Sequence, residues 1–405
     1  MILTTEAGEI LETGVELGEG TDGFVYSVRS DPYRCVKVYR QNVPDNMDRL
    51  DALLDHEFTP LAQTRFAPHL AWPQGTVVDT NGERCGFVMP LLDTTSWHPI
   101  SDLFHPAERL RLLGALNDWV TLVQVAERLA DLMAQLHRCE IAIGDISDSN
   151  VLVSRTGQVC LLDCDSFGFF TVDGRPYAPP RVSPTYCPPP SVTDPVRVDE
   201  WVLATITVRL LLCGNHPFDG YPVGWSDDDD PPGPSGNATA GRHILTTVPS
   251  LEQSANVVEP AVLSRGIRRL ARRTFGDYPN PPDGGSASAL EWSSELGRVA
   301  RYATACSVNP RHRYDFERPR CPWCAFRERA DGDHFPSPGI PSQRNGGIST
   351  GDGSAAGPAP GAATVPGWQP APIASTLVPP VSVGPWAAAL GVIVAVVMVL
   401  TWIGK

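Results

Sequence analysis

A positive field is the first thing this 405-residue sequence lacks. Lysine and arginine number 32 against 46 aspartates and glutamates, for a formal charge of −14. A chain that grips phosphate backbones needs the opposite balance, so no nucleic-acid partner is expected. Part of the acidity is one run, Asp227 to Asp230, which reads as a solvated loop. The start, Met1-Ile2-Leu3-Thr4-Thr5-Glu6, has no basic residue ahead of an apolar stretch, so no secretory signal is read there. No internal repeat is evident. Cysteine spacing is irregular too. Of ten cysteines, seven lie singly in segments that read as strand or helix, and without export they are expected to stay reduced.

What is present divides by composition. A hydrophobic content of 42% suits a globular core, and the length allows two or three domains, or one of about 250 residues with attachments. From about Ala330 to Pro385 the chain is rich in Gly, Pro, Ser and Ala and cannot bury enough apolar area to order itself, so a flexible tether is expected at 330–385. Trp386 to Ile403 then carries no charge over 18 residues, close to the minimum for a helix crossing about 30 Å of hydrocarbon. Trp386 and Trp402 sit near its ends, where indole favours the interface. A buried core helix is the alternative, but only Gly404 and Lys405 follow it. The expectation is a single C-terminal membrane helix at 386–403, with the large N-terminal part facing the cytoplasm.

Chemistry is concentrated in three places. Val15-Glu16-Leu17 and Phe24 to Val28 read as strands around Gly18-Glu19-Gly20-Thr21-Asp22-Gly23. A dinucleotide fold needs a helix directly after the third glycine, and here an alternating β run follows, which favours a phosphate-covering hairpin. Cys35-Val36-Lys37-Val38-Tyr39 then puts a lysine on an apolar strand. An isolated strand lysine is usually a solvated edge residue, but behind this hairpin it can reach nucleotide phosphates.

Trp119 to His137 has helical apolar spacing at Leu122, Val125, Leu129, Leu132 and Leu136. The loop after it holds Asp145 and Asn150, an acid that can orient a hydroxyl and an amide that can ligate Mg²⁺. Asp163 and Asp165 follow in Leu161-Leu162-Asp163-Cys164-Asp165-Ser166-Phe167-Gly168, and carboxylates suit a hard cation. Each alone could be a turn residue. In this order, behind a glycine loop and a strand lysine, they make coincidence improbable.

On these residues the sequence resembles the eukaryotic-type protein kinase superfamily, in its bacterial Ser/Thr branch, from about Leu11 to about Arg301. The glycine loop matches Gly18, Gly20, Gly23 and Val25; the strand motif V-A-I-K matches Arg34-Cys35-Val36-Lys37. The catalytic loop H-R-D-x-x-x-x-N matches Ile143-Gly144-Asp145 through Asn150, and D-F-G matches Asp163-Cys164-Asp165. The resemblance implies that Asp145 accepts or orients the substrate proton and that Asp199 opens a long buried helix and braces the catalytic loop. It implies ATP held by the glycine loop and Lys37, adenine between Val25, Cys35 and Leu152, a hinge strand at Phe87 to Leu91 that includes Met89, and Mg²⁺ or Mn²⁺ on Asn150 and Asp163, with Asp165 as a further ligand. Departures stand beside it. Gly144 replaces the arginine that reads a phosphorylated activation segment, and Ser147 replaces a lysine that contacts the transferring phosphate. Pro190 replaces the glutamate of A-P-E, whose arginine partner falls near Ser286. The acid that pairs with Lys37 should come from a helix over Asn46 to Leu61, which offers Asp51, Asp55 and Glu57, with Glu57 favoured by spacing.

Cys306, His312, Cys321 and Cys324 form a C-x5-H-x8-C-x2-C set. Three thiolates and an imidazole suit tetrahedral Zn²⁺; reduced structural thiols or a redox pair are the alternatives, and no βαβ pattern supports redox. The expected fold is α+β and two-lobed: an N-lobe over 10–92, a helical lobe over 93–305, a zinc cluster over 306–329, then tether and membrane helix. The expected activity is a Ser/Thr protein kinase acting on a protein substrate. A nucleotide-binding pseudokinase scaffold and a small-molecule kinase are the rival readings.

Overall fold

Six short strands with inward Leu and Val close on themselves at the N-terminal end of the computed structural model. It describes residues 1–40, 45–180, 183–226, 230, 232–254, 256–280, 285–330 and 332–337. The strands are β1 (Ile2–Thr5), β2 (Ile10–Glu19), β3 (Gly23–Val28), β4 (Asp31–Tyr39), β5 (Gly75–Val78) and β6 (Arg84–Pro90). They pair antiparallel in the order β1-β2-β3-β4-β6-β5, and β1 bonds to β5 through Thr4 opposite Val78 and Thr5 opposite Val77. Leu3, Leu11, Val28, Val36, Val77 and Val88 fill the barrel. The sequence reading began this lobe at residue 10. The first strand is an addition, driven by Leu3, which is fully buried, and it removes the edges an open sheet would expose.

Between β4 and β5 run α1 (Asp45–Leu54) and α2 (Thr59–Ala62). The single helix expected over 46–61 is therefore two. Pro60 has no N–H to offer the carbonyl of residue 56, so a continuous helix is unavailable. The break is closed locally: His56 Nδ1 accepts from Phe58 N at 3.1 Å and Thr59 Oγ1 donates to Leu53 O at 2.6 Å.

The lower lobe opens with β7 (Trp97–Pro99), α3 (Pro106–Leu113) and α4 (Trp119–Arg138). Asp118 caps α4 by accepting from Thr121 N, and the stripe read from the sequence is buried from Leu122 to Leu136. β8 (Val151–Ser154) and β9 (Val159–Leu161) pair with β7 in the order β7-β8-β9. α5 (Pro195–Leu211) is capped by Asp194, starts on Pro195 and is buried on most of its surface, as its apolar run from Trp201 requires. α6 (Gly233–Thr239), α7 (Arg265–Phe275), α8 (Ala289–Tyr302) and α9 (Pro322–Arg329) complete the lobe, and α8 carries a capping box of Ser288 and Glu291.

The folded body also runs past 330, where the tether was expected to begin. Phe335 is fully buried and meets Trp323 edge-on at 4.7 Å. Arg109, itself fully buried, donates to His334 O at 3.0 Å, and Asn309 Nδ2 donates to Phe335 O at 3.0 Å. One aromatic side chain in a polar stretch is the anchor. The remaining tether and the membrane helix expected at 386–403 lie outside the described residues. Among the described residues no helix is long and apolar enough to cross a membrane.

Leu3→Ala leaves a cavity in a small barrel core and should destabilise the protein by about 2–5 kcal/mol in reversible chemical denaturation. A change near zero would mean that β1 is peripheral to the barrel.

Candidate nucleotide and metal site

The upper side of the seam begins with one close backbone approach. Gly23 is required by packing: a Cβ there would lie 2.2 Å from Val38 O on β4. Around Gly18 nothing lies within 4 Å of an added Cβ, and around Gly20 only Gly23 O at 3.8 Å, so the hairpin tip is open above the cleft. In β4, Cys35 sits opposite Met89 of β6 and Lys37 opposite Phe87, while Val25 of β3 pairs with Lys37. Cys35, Phe87 and Met89 are buried in one small cluster with Val25 packed against it, and burial pushes the Cys35 thiol up to about 12. Leu152, on β8 opposite Pro99, is half-buried at the head of the lower lobe.

Lys37 reaches down from β4. Its Nζ lies 2.9 and 3.0 Å from the two carboxylate oxygens of Asp165 and 3.2 Å from Asp163 Oδ1. Burial alone would drive this ammonium toward neutrality, but the carboxylates of Asp165 and Asp163 more than offset it and hold the proton more tightly than usual. Tyr39 OH adds a bond to Asp165 Oδ2 at 3.0 Å.

The loop from Ile143 is held by a fully buried carboxylate. Asp199 accepts from Ile143 N at 2.7 Å and Gly144 N at 2.8 Å, and lies 3.0 Å from His137 Nε2. Gly144 has φ +80, a left-handed conformation that an arginine side chain disfavours. Asp145 is half-buried beyond it, and Asn150 Nδ2 donates to the Asp145 carbonyl at 2.9 Å, while the amide oxygen of Asn150 accepts only a long bond from Ser149 Oγ at 3.5 Å and keeps a lone pair that can serve as a ligand. Leu162 N donates to Asn150 O at 2.9 Å, tying this loop to the Asp163 segment. Ser147, at the missing lysine's position, turns its hydroxyl into its own loop, 2.9 Å from Ser149 Oγ.

Several expectations change here. Glu57 and Asp55 are exposed beyond the end of α1, and Asp51 bonds Arg84, so none of the three pairs with Lys37. α1 contributes Arg49 instead, whose guanidinium donates to the carbonyls of Asp165, Ser166, Phe167 and Ala178. Asp148 was not singled out in sequence; it bonds Tyr186 OH and Arg209 Nη1. Pro190 is exposed, and Ser286 donates to Glu200. Beside Ser147, Asp148 and Ser149 a cavity of about 340 Å³ opens toward Ser183 and Tyr186.

A second cluster lies at the far end of the lower lobe. One donor atom each from Cys306, His312, Cys321 and Cys324 falls within 4.8 Å of all the others. His312 Nδ1 is 3.7 Å from Cys321 Sγ and 3.5 Å from Cys324 Sγ, and Nε2 is 2.8 Å from Asp333 Oδ1. Asp333 thus fixes the tautomer that turns Nδ1 toward the thiols. All ten cysteines are free.

A β-barrel joined to a helical lobe, with a strand lysine meeting acids behind a braced Asp–Asn loop, is an arrangement that resembles a divergent bacterial branch of the protein kinase-like superfamily. It is similar to the protein named protein kinase YegI of Escherichia coli K12, 26% identical over 340 residues, which covers 80% of this chain and 50% of that one. The protein of the same name from Escherichia coli O157:H7 is 26% identical over 342 residues, with the same shares. The chain spans about half the length of the curated relatives it matches. No protein-family model matches it. Among solved structures, the ROP18 kinase domain in complex with AMP-PNP and sucrose aligns with a TM-score of 0.45 at 16% identity, over 74% of this chain and 85% of that one. A Toxoplasma gondii rhoptry antigen kinase domain aligns at 0.44 and 14%, over 74% and 86%.

Proposed function

We propose that the chain is an ATP- and Mg²⁺-dependent protein kinase that phosphorylates serine and threonine hydroxyls of cytoplasmic proteins and is tethered to the membrane through residues 386–403. The observation that carries this reading is the convergence of Lys37, Asp163, Asn150 and Asp145 at the seam, joined by the bonds Lys37–Asp163 and Leu162–Asn150. The name of the Escherichia coli relatives supports it. Amides around Gly18 and Gly20 and the Lys37 ammonium hold the phosphates, with adenine beside Val25, Cys35, Met89 and Leu152. The substrate hydroxyl attacks the γ-phosphorus, its proton passes to Asp145, and the bond to the bridging oxygen breaks to leave ADP. Asp163 and Asn150 offer the oxygens for Mg²⁺, which supplies neutralisation of phosphate charge. Asp199 touches none of the reacting atoms; it positions the loop.

Ser147 favours one rival, a scaffold that binds nucleotide without turnover, because its hydroxyl is spent inside the loop. Transfer from γ-labelled ATP to a panel of proteins and small hydroxyl compounds separates the readings. Asp145→Ala should lower transfer by at least about a hundredfold with little change in ATP affinity. Wild type that binds ATP yet transfers nothing with Mg²⁺ or Mn²⁺ is the scaffold; transfer only to small compounds is a small-molecule kinase.

The second cluster is read as a structural zinc site. Three thiols and an imidazole within one coordination radius, with Asp333 orienting the histidine, match the donor set and the outer-shell support that Zn²⁺ uses. Elemental analysis should find about one zinc per chain, and its removal should lower thermal stability, since such binding energy is folding energy. A fully folded, metal-free protein with Cys321 and Cys324 in a disulfide ends this reading.

The tether rests on the uncharged run from Trp386 to Ile403. Full-length protein should sediment with membranes and a variant lacking 386–405 should not; equal partition of the two removes the tether from the proposal.

A further inference from the structure

Asp163 and Asp165 are two residues apart, yet their surroundings differ sharply. The Asp165 side chain is 7% exposed and that of Asp163 46%. Both Asp165 oxygens accept from Lys37, at 2.9 and 3.0 Å, and Oδ2 accepts again from Tyr39 OH at 3.0 Å. Its backbone is fixed as well, because Arg49 Nε donates to the Asp165 carbonyl at 3.1 Å. Asp163 makes one, longer contact with Lys37, 3.2 Å, and its left-handed backbone, φ 53, sets it at the edge of the cleft. A buried carboxylate whose two oxygens already accept three bonds from protein donors, and whose side chain is 7% exposed, is poorly placed to take a cation as well.

We propose that Asp165 is the standing counter-ion of Lys37, a positioning residue, and that of the two acids only Asp163 takes the divalent cation. In protein kinases the strand lysine pairs with a glutamate on the following helix. Here that helix ends before Glu57 and supplies Arg49 to backbone carbonyls instead. Lys37 is therefore aligned from the lower lobe, by the segment that also carries the cation ligand. When Asp163 turns to a cation, its single bond to Lys37 gives way and frees one N–H for a phosphate oxygen, while Asp165 keeps the other two. The cation's role rests on the nucleotide reading above; the pairing of Lys37 does not.

Two measurements on the full chain test this. One is calorimetric binding of a non-hydrolysable ATP analogue as Mg²⁺ is titrated. The other is acylation of Lys37 by an amine-reactive ester, read by mass spectrometry; the chain has only two lysines, and the other is Lys405. Asp163→Asn should raise the Mg²⁺ needed for tight binding at least about tenfold, as loss of a charged ligand requires, and leave Lys37 protected. Asp165→Asn should leave the Mg²⁺ requirement unchanged, weaken nucleotide binding at saturating Mg²⁺, and speed Lys37 acylation at least about tenfold, because a buried charge has lost its partner. Glu57→Gln should change neither. An equal rise in Mg²⁺ requirement for both Asp variants, or Lys37 equally protected in Asp165→Asn, overturns the proposal. Should Asp165→Asn fail to fold, Tyr39→Phe removes one bond to the same carboxylate and should speed acylation without altering Mg²⁺ dependence; no change in acylation there also counts against it. Wild type that binds no nucleotide defeats the kinase reading, and the acylation arm still decides the pairing.

Discussion

Lys37 keeps its charge at a place that water barely reaches, and it does so because two carboxylates from the other lobe meet it there. A buried ammonium without such partners is costly enough to lose its proton or unfold its surroundings. The barrel strand that carries Lys37 and the segment after β9 that carries Asp163 and Asp165 are therefore bound to one relative position. The rest of the seam follows from this contact. Leu162 links the acid segment to Asn150, Asn150 to Asp145, and Asp199 holds the loop on which Asp145 sits.

A related device holds other junctions, in and beyond the seam. Buried or half-buried charged side chains are satisfied by backbone groups at the points where separate segments must be held together. Arg49 ties α1 to the acid segment through carbonyls, and Arg109 ties the chain at 334 to α3 and to Leu103 O. Asp199 does the converse with amides. Backbone partners do not depend on a second ionised side chain, so each junction needs only one particular residue. The Cys/His cluster and Asp333 sit next to the junction at 334, so a metal there and the docking of Phe335 share one piece of chain.

Much of this was legible in sequence where chemistry and periodicity coincide. The helix at 119–138 announces itself by its apolar spacing, and Lys37, Asp145, Asn150 and Asp163 by residue type and order. The Cys/His cluster was legible from its spacing. Contacts between distant segments were not. Nothing local in Ile2–Thr5 says that it closes a barrel, since Leu3 alone carries the burial. Pro60 was a readable signal for the break between α1 and α2, and Phe335 for the ordered stretch inside the expected tether. Asp165 reads as a second metal ligand from its type; its burial and its three bonds to Lys37 and Tyr39 are contacts between distant segments that the sequence does not carry. Of the two lysines in the chain, one stands on β4 at the centre of the site.

A structure of the full chain with Mg²⁺ and a non-hydrolysable ATP analogue tests the account most directly. It should show the cation on Asp163 and Asn150, phosphates under the Gly18–Gly23 turn, and Lys37 bridging them while still bonded to Asp165. A nucleotide bound elsewhere, or a cation on Asp165 with Lys37 turned toward α1, would contradict it.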